Sequence, residues 1–513
     1  MSKYLYGAAV QGIQDFIFKT NNLQHIVGAS ELVEEICTVA FNEFGTNGES
    51  VVHAAGNVKF IFNDEEDCKK AFLRFPKKVM TMAPGITISQ AIVELQDDFS
   101  DAEFSQAIDD IENLLKTQRN KPQRSVTFGL MGMKRANNTG LPVTKVIIDS
   151  NKEKLYLDDA TTAKLGKTEK NEEEENKSND NNVWKLSKKS FGLSYLKHDK
   201  IAYEVSKLTD KNDWIAIIHA DGNGLGQIVQ KVGKKKDIFK VFSQKLDEAT
   251  TEAAHQAYTQ VIGDHINKNG VIPARPVVLS GDDMTIIIRG DLAIDYATVF
   301  INAFEAETRK RIGTILKEFK VFEGGEDYLT ACAGIAFIKS SYPFYYGYQL
   351  AEELCGQAKK DTKEIAREGL SDGTTANRLP SSCLMFHKVQ DSFITTYKDI
   401  EVRELKTHDG QLSFKAGPYY TNESPKAGKH TIQELKDASN MLNSDHGEGI
   451  KSGIRNWISL RLDSKSEADQ RKNRMKQVFL SEKVIDILTN EQYGTCIAYD
   501  ALAYYSIQNQ QTK

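Results

Sequence analysis

The chain has 513 residues, enough for two to four domains with real cores at about 100–200 residues each. It is 40% hydrophobic and 27% charged, an ordinary globular composition that excludes collagen-like, wholly disordered and membrane-embedded classes. Lys plus Arg number 66 against 71 Asp plus Glu, a formal charge of −5, so nucleic acid could be held only by a local basic patch.

No window approaches the roughly 18 uninterrupted apolar residues of a spanning helix. The opening MSKYLYGAAVQGIQDFIF is broken by Gln and Asp and lacks a signal peptide's apolar block. Cys37, Cys68, Cys332, Cys355, Cys383 and Cys496 are scattered singly, without a CxxC pair, which argues against a zinc ribbon and against a disulfide framework. The chain reads as a cytoplasmic protein with no membrane association.

In chain order, Leu5–Val10 predicts a buried strand, and IQDFIF with HIVGASELVEEICTVAFNEF predicts helix. Val51–Phe62 predicts a hairpin turning at Ala55-Gly56-Asn57, then EEDCKKAFLRFPKKVMTM a helix and Ile86–Leu95 a strand. That order, β-α-β-β-α-β, is the ferredoxin-like or palm signature. From Gly166 to Asn182 the chain runs GKTEKNEEEENKSNDNN, too polar to offset its ordering entropy by burial, and is read as a charged flexible linker.

Beyond the linker the order returns. Asp213–Ala220 is an apolar strand ending in DGNGLG, and a helix follows over about Lys236 to Ile262. Arg275–Gly290 is a hairpin with an acidic turn, Ile294–Phe319 a helix, Tyr328–Lys339 a strand, and YYGYQLAEELCGQAKKD a helix. Past about Thr395 the spacing is helical. The expected class is α+β: two ferredoxin-like palm domains (1–160 and 193–395) around a linker (161–192), and a helical C-terminal domain (396–513). Between Lys451 and Lys476 that last part carries eight basic and three acidic residues, read either as a solvated helix face or as a surface for RNA or phosphate.

HADGNGLG (His219–Gly226) and SGDD (Ser280–Asp283) carry the chemistry. In a βαββαβ sheet the first strand lies beside the third and antiparallel to it. The turn between strands two and three therefore meets the end of strand one, which brings Asp282 and Asp283 to Asp221. Three carboxylates gathered there repel one another and are costly to desolvate, a penalty that divalent cations remove. Oxygen-only ligands favour Mg²⁺ or Mn²⁺. Gly222, Gly224 and Gly226 open a helix, so backbone N–H groups can face a triphosphate. Two ions about 3.5–4 Å apart would stabilise an attacking 3′-oxygen and a departing pyrophosphate. That chemistry is nucleotidyl transfer.

HADGNGLG, LSGDDM, TACAGIAFIK with SYPFYYGYQLAEELCGQAKK, and SSCLMFHKV together resemble the large palm subunit of type III CRISPR effector complexes. Ala351-Glu352 and Ala358-Lys359 are similar to a pattern in the related GGDEF cyclases, and GIQDFIF with IVGASELVEEI resembles the family's first palm. The resemblance implies a synthase of cyclic oligoadenylate from ATP, a second messenger of antiviral defence. It implies that Asp221, Asp282 and Asp283 are catalytic residues and ligands of two Mg²⁺ or Mn²⁺ ions, with Asp282 the principal ligand of the turn. Gly222, Asn223, Gly224, Ser280 and Gly281 would lie against the nucleotide, and Lys359, or failing it Lys360, would touch the triphosphate. RNA and other subunits of a CRISPR-type complex are the partners implied, through the basic C-terminal helices; a homo-oligomer is also left open.

Departures from the pattern are informative. Ser280 replaces the first Gly of GGDD, a small residue that keeps the turn. The first palm has Ala54-Ala55-Gly56-Asn57 in place of acids, so it is expected to be degenerate and metal-free, facing an acceptor ATP. His198-Asp199 and His408-Asp409 lack the further His and Asp of an HD nuclease, with which such subunits often open, and the Glu-rich linker stands where a zinc ribbon is common. A free-standing synthase is thus as compatible with the chain as a member of an RNA-guided complex. Three rivals remain in view: a cyclic dinucleotide synthase using GTP, a non-catalytic RNA- or protein-binding scaffold, and a template-directed polymerase. The last needs more flanking structure than about 120 C-terminal residues supply.

Overall fold

The computed structural model describes residues 2–54, 56–120, 130–148, 153–166, 185–209, 214–233, 235–266, 270–322, 324–368, 378–391, 396–442, 447–479 and 482–509. β1 (Lys3–Gln11), β2 (Gly48–Ala54), β3 (Asn57–Phe62) and β4 (Thr87–Leu95) form an antiparallel sheet in the order β2-β3-β1-β4. Helices α1 (Ile13–Phe18), α2 (Leu23–Thr38) and α3 (Glu65–Met82) complete the expected β-α-β-β-α-β order, and α4 (Asp101–Arg119) follows. β1 is apolar throughout because both its faces are covered. Leu5 and Ala9 pack into one cluster with Phe104, Ile108 and Ile111 of α4, and Tyr6 and Ala8 belong to the main core on the other face. A Cβ on Gly7 would stand 2.5 Å from the Ile111 side chain, so α4 approaches closely there. α4 opens on a capping box in which Ser100 and Glu103 satisfy each other's backbone N–H groups.

β5 (Lys145–Ile148) and β6 (Lys154–Leu157) make a separate ribbon. Residues 167–184, most of the expected linker, lie outside the described residues. The flanks of that segment are packed helix: α5 (Asp159–Gly166) and α6 (Lys185–Phe191), with Leu165, Leu186 and Phe191 buried. A Cβ on Gly28 of α2 would stand 1.9 Å from the Lys164 carbonyl oxygen, so α2 and α5 touch backbone to backbone.

The second sheet contains β7 (Trp214–Gly222), β8 (Ala274–Ser280), β9 (Asp283–Arg289), β10 (Ala331–Lys339) and β11 (Cys383–Lys388), joined by helices α7 (Leu225–Val232), α8 (Lys236–Ala257), α9 (Ala293–Glu318) and α10 (Phe344–Arg367). With two further short strands, β12 (Tyr419–Tyr420) and β13 (His430–Thr431), its order is β13-β12-β11-β10-β7-β9-β8. The unit β10-β7-β9-β8 repeats the order of the first sheet, and both hairpins shift register at the same step, between Pro276 and Val278 and between Ser50 and Val52. Pro276 is tolerated because it stands at that bulge on an edge strand.

The segment beyond residue 395, expected to be helical, also adds β12 (Tyr419–Tyr420) and β13 (His430–Thr431) to the sheet edge. These strands are two residues long, too short to leave a periodic signal. Helices α11 (Ile432–Met441), α12 (Gly447–Asp463), α13 (Lys465–Val478), α14 (Glu482–Leu488) and α15 (Ala498–Gln508) follow. Their buried side chains join one core that runs from Tyr6 to Ile507. Half of the basic residues of that stretch are held by partners elsewhere in the chain. Arg461 is buried and holds Asp409 and Glu491, Lys472 and Lys476 pair with Asp486, and Lys451 donates to Tyr505. Arg455, Lys465 and Arg474 remain exposed. Among the described residues, no helix is long and apolar enough to cross a membrane.

Candidate active site

β7 and β9 pair antiparallel, Ala220 opposite Met284, so the end of β7 meets the turn that opens β9. The expected convergence follows: Asp221, Asp282 and Asp283 each offer a carboxylate oxygen within 4.8 Å of the others. From α10, Lys359 reaches the same point. Its Nζ pairs with Asp221 Oδ2 and donates to the Gly222 carbonyl at 2.7 Å. Lys360, the fallback, is exposed on the next position of the helix.

The electrostatics are those of a cation site. Burial first, and the Asp221 carboxylate second, hold the Asp282 and Asp283 carboxyls well above the ordinary carboxylate range. Burial works against the charge on Lys359, but Asp221 and its neighbours outweigh it and hold the ammonium above its usual range. Three carboxylates against one ammonium leave two negative charges when all are ionised, a deficit that divalent cations offset. The donors are hard oxygens, and these residues fit Mg²⁺ or Mn²⁺. Nearby His219 is neutral, its ring pushed down to about 4 by burial, with Nδ1 3.1 Å from Thr285 Oγ1.

The loops are built for close approach. A Cβ on Gly222 would stand 2.8 Å from Asp282 Oδ2, and Gly224 has φ 77 at the start of α7. Gly281 has φ 64 in the acidic turn, and Ser280, buried, pairs with Asp283 across the hairpin. Asn223 is the expected contact residue that the fold turns away. Its side chain is buried and donates to Thr330 Oγ1 at 3.1 Å, and its backbone N–H goes to the Thr330 carbonyl at 2.8 Å. It secures the loop from behind, since both its donor groups are committed to Thr330 and the neighbouring Cys332.

Residues 214–366, which hold the whole constellation, match the family described as Cas10/Cmr2, second palm domain. That segment is a Cas10-like palm domain. Solved structures similar to it include a Csm1–Csm4 cassette in complex with AMPPNP (TM-score 0.56, 12% identity, covering 100% of this chain and 70% of that one). The same cassette in complex with cA4 gives TM-score 0.54 at 12% identity with the same coverage. Csm1 in T. onnurineus gives TM-score 0.55 at 12% identity, covering 98% of this chain and 69% of that one. At such identity the likeness is one of fold. A comparison with the curated proteins found no match.

Register relates the chain's two sheets. Ser280 pairs with Asp283 as Ala54 pairs with Asn57, and Ala9 lies opposite Asn57 on β1. The three carboxylate positions of the second sheet thus fall on Ala9, Gly56 and Asn57 in the first. The sheets also meet near the site: Phe18 of α1 stacks on Tyr348 of α10 at 4.6 Å, and Tyr348 lies edge-on to His219 at 5.8 Å. Sequence reasoning missed the residues that hold the acidic turn. Asp247 and Thr250 of α8 and Lys189 of α6 contact its backbone. Their only sequence trace is a Thr within the buried stripe of α8.

Proposed function

We propose that this Cas10-like protein is a metal-dependent nucleotidyltransferase that builds cyclic oligoadenylate from ATP. The observation that carries the reading is the meeting of Asp221, Asp282, Asp283 and Lys359 at one end of the matched palm. The solved relatives of this fold, bound to AMPPNP and to cA4, support adenine nucleotides as the substrate class. Domains at 1–160 (a degenerate palm), 193–395 (the catalytic palm) and 396–513 (mainly helical) accord with the repeated sheet order and the Ala9, Gly56, Asn57 set.

In this reading Asp221, Asp282 and Asp283 hold two Mg²⁺ or Mn²⁺ ions, which when bound supply charge stabilisation to the attacking and departing oxygens. Lys359 neutralises the triphosphate, exchanging its contact with Asp221 for phosphate oxygens. Gly222 and Gly224 present backbone without side chains to the phosphates, and the Ser280-Gly281 turn keeps the acids in place. The acceptor 3′-hydroxyl passes its proton to solvent water and attacks the α-phosphorus of the donor. A new P–O bond forms and the bond to pyrophosphate breaks. The acceptor ATP would lie between the two palms, against the metal-free first sheet. A subunit of the Csm4 kind is the partner that the similar Csm1–Csm4 structures suggest, and RNA is the activator proposed with it.

The test is incubation of the purified protein with each labelled nucleoside triphosphate and Mg²⁺ or Mn²⁺, with products resolved by chromatography and mass spectrometry. Asp282→Ala/Asp283→Ala runs in parallel. Cyclic oligoadenylate from the wild type alone establishes the reading, and a cyclic dinucleotide from GTP would replace it. Failure to bind ATP in a metal-dependent way would leave the scaffold role instead.

A further inference from the structure

The acidic turn must hold two carboxylates at a fixed angle, yet its pivot is Gly281, whose left-handed φ of 64 lies in a region where glycine is soft. The structure supplies rigidity from outside. The Gly281 N–H donates to Asp247 Oδ1 at 3.3 Å, and Thr250 Oγ1 donates to the Gly281 carbonyl at 2.6 Å. Lys189 closes the arrangement: its Nζ donates to the same Asp247 oxygen at 2.9 Å and to the Leu279 carbonyl at 3.2 Å. The Lys189–Asp247 pair is largely shielded, at 21% and 29% side-chain exposure, so water screens it less than it would a surface pair.

Lys189 sits on α6, and the other end of α6 belongs to the first sheet's helices. The buried Glu31 of α2 accepts from the N–H groups of Leu186 at 3.1 Å and Ser187 at 3.4 Å, and from Ser187 Oγ at 3.3 Å. One short helix is therefore gripped by α2 at its start and grips the metal-ligating turn at its end.

We infer that Lys189 and Asp247 are positioning residues of the metal site, and that α6 transmits the placement of α2 to the Ser280–Asp283 turn. The inference rests on the reading of Asp221, Asp282 and Asp283 as metal ligands. It makes cation affinity depend on groups that touch neither cation nor substrate. It also gives a change at the first sheet, such as partner docking, a physical route to the acids.

The experiment is a Mn²⁺ titration of the full chain, followed by the electron paramagnetic resonance signal of free Mn²⁺, with Tm measured for each variant. Lys189→Met should weaken Mn²⁺ binding by about tenfold, the lower end of what loss of an outer-shell partner costs. Its Tm should change little, and Lys189→Arg should restore affinity. Asp247→Asn and Glu31→Gln should weaken binding in the same direction. Wild type that binds Mn²⁺ with Lys189→Met equal to it overturns the positioning role while leaving the metal reading intact. Equal losses of affinity and Tm without rescue by Arg assign Lys189 a merely structural role. An unaffected Glu31→Gln removes the transmission through α6. Wild type that binds no Mn²⁺ overturns the metal reading and this inference with it.

Discussion

Gly222 shows how little room the acidic cluster leaves. Any side chain there meets Asp282, whose Cβ would lie 2.9 Å from the new Cβ. Gly222→Ala should therefore displace Asp282, a proposed ligand, lowering Mn²⁺ affinity about tenfold or more while Tm falls by only a few degrees, since overpacking costs about 1–3 kcal/mol. Unchanged affinity in calorimetric titration would count against Asp282 as a ligand. The raised carboxyls of Asp282 and Asp283 predict a pH dependence of definite sign. A carboxyl raised in the folded state binds protons more tightly than in the unfolded chain. Without metal, the stability it contributes is present at low pH and is lost as pH rises through the raised range. Asp282→Asn should thus raise the Tm of the metal-free protein more at pH 8 than at pH 5. The Tm gain from Mn²⁺ on the wild type should be larger at pH 8 than at pH 6, because protons compete for the same oxygens. A pH-independent difference in thermal-shift measurements would contradict both. At this scale the meeting of Asp221, Asp282 and Asp283 was legible from their motifs. Asn223 was not: an Asn in a glycine loop looks like a ligand contact until Thr330, over a hundred residues away, is seen to take its donors.

Elements were legible where periodicity was long. β7 reads as a continuous apolar run because helices cover both faces, and α8 through α10 read as amphipathic. Short elements depending on distant partners were not: α6 is KLSKKSF, a polar run whose helix is held by Glu31 and by burial of Phe191. The seating of α10 on β10, which delivers Lys359, depends on Gly334. A Cβ there would stand 1.9 Å from the Ala351 carbonyl oxygen and 2.4 Å from the Cys355 nitrogen. Gly334→Ala should cost at least about 1–3 kcal/mol, since the obstruction is backbone on both sides. Urea denaturation should show a lower midpoint; an unchanged midpoint would mean that α10 can lift without cost.

Across the whole molecule, the contacts between the two sheets are extensive. Glu49 of β2 accepts from Lys236 at 2.8 Å and Lys240 at 3.0 Å, Phe239 of α8 enters the cluster beneath β1, and Phe18 stacks on Tyr348. Because one apolar core runs from the first sheet into the C-terminal helices, calorimetry should show one cooperative unfolding transition rather than a separate event for each expected domain. Two resolved transitions would show that the sheets are coupled weakly. Phe18→Ala, removing a fully buried ring at the junction, should lower Tm with a loss of about 3–5 kcal/mol.

By itself the sequence determined the β-α-β-β-α-β order twice over, because alternating and helical apolar periods are local properties of the chain. It also determined which carboxylates meet, because that order dictates which strand ends are neighbours. Only the tertiary structure decided how the acids are held. The grip of Lys189 and Asp247, the inward turn of Asn223 and the joining of two sheets into one core are contacts between residues far apart in the chain, and no local pattern records them.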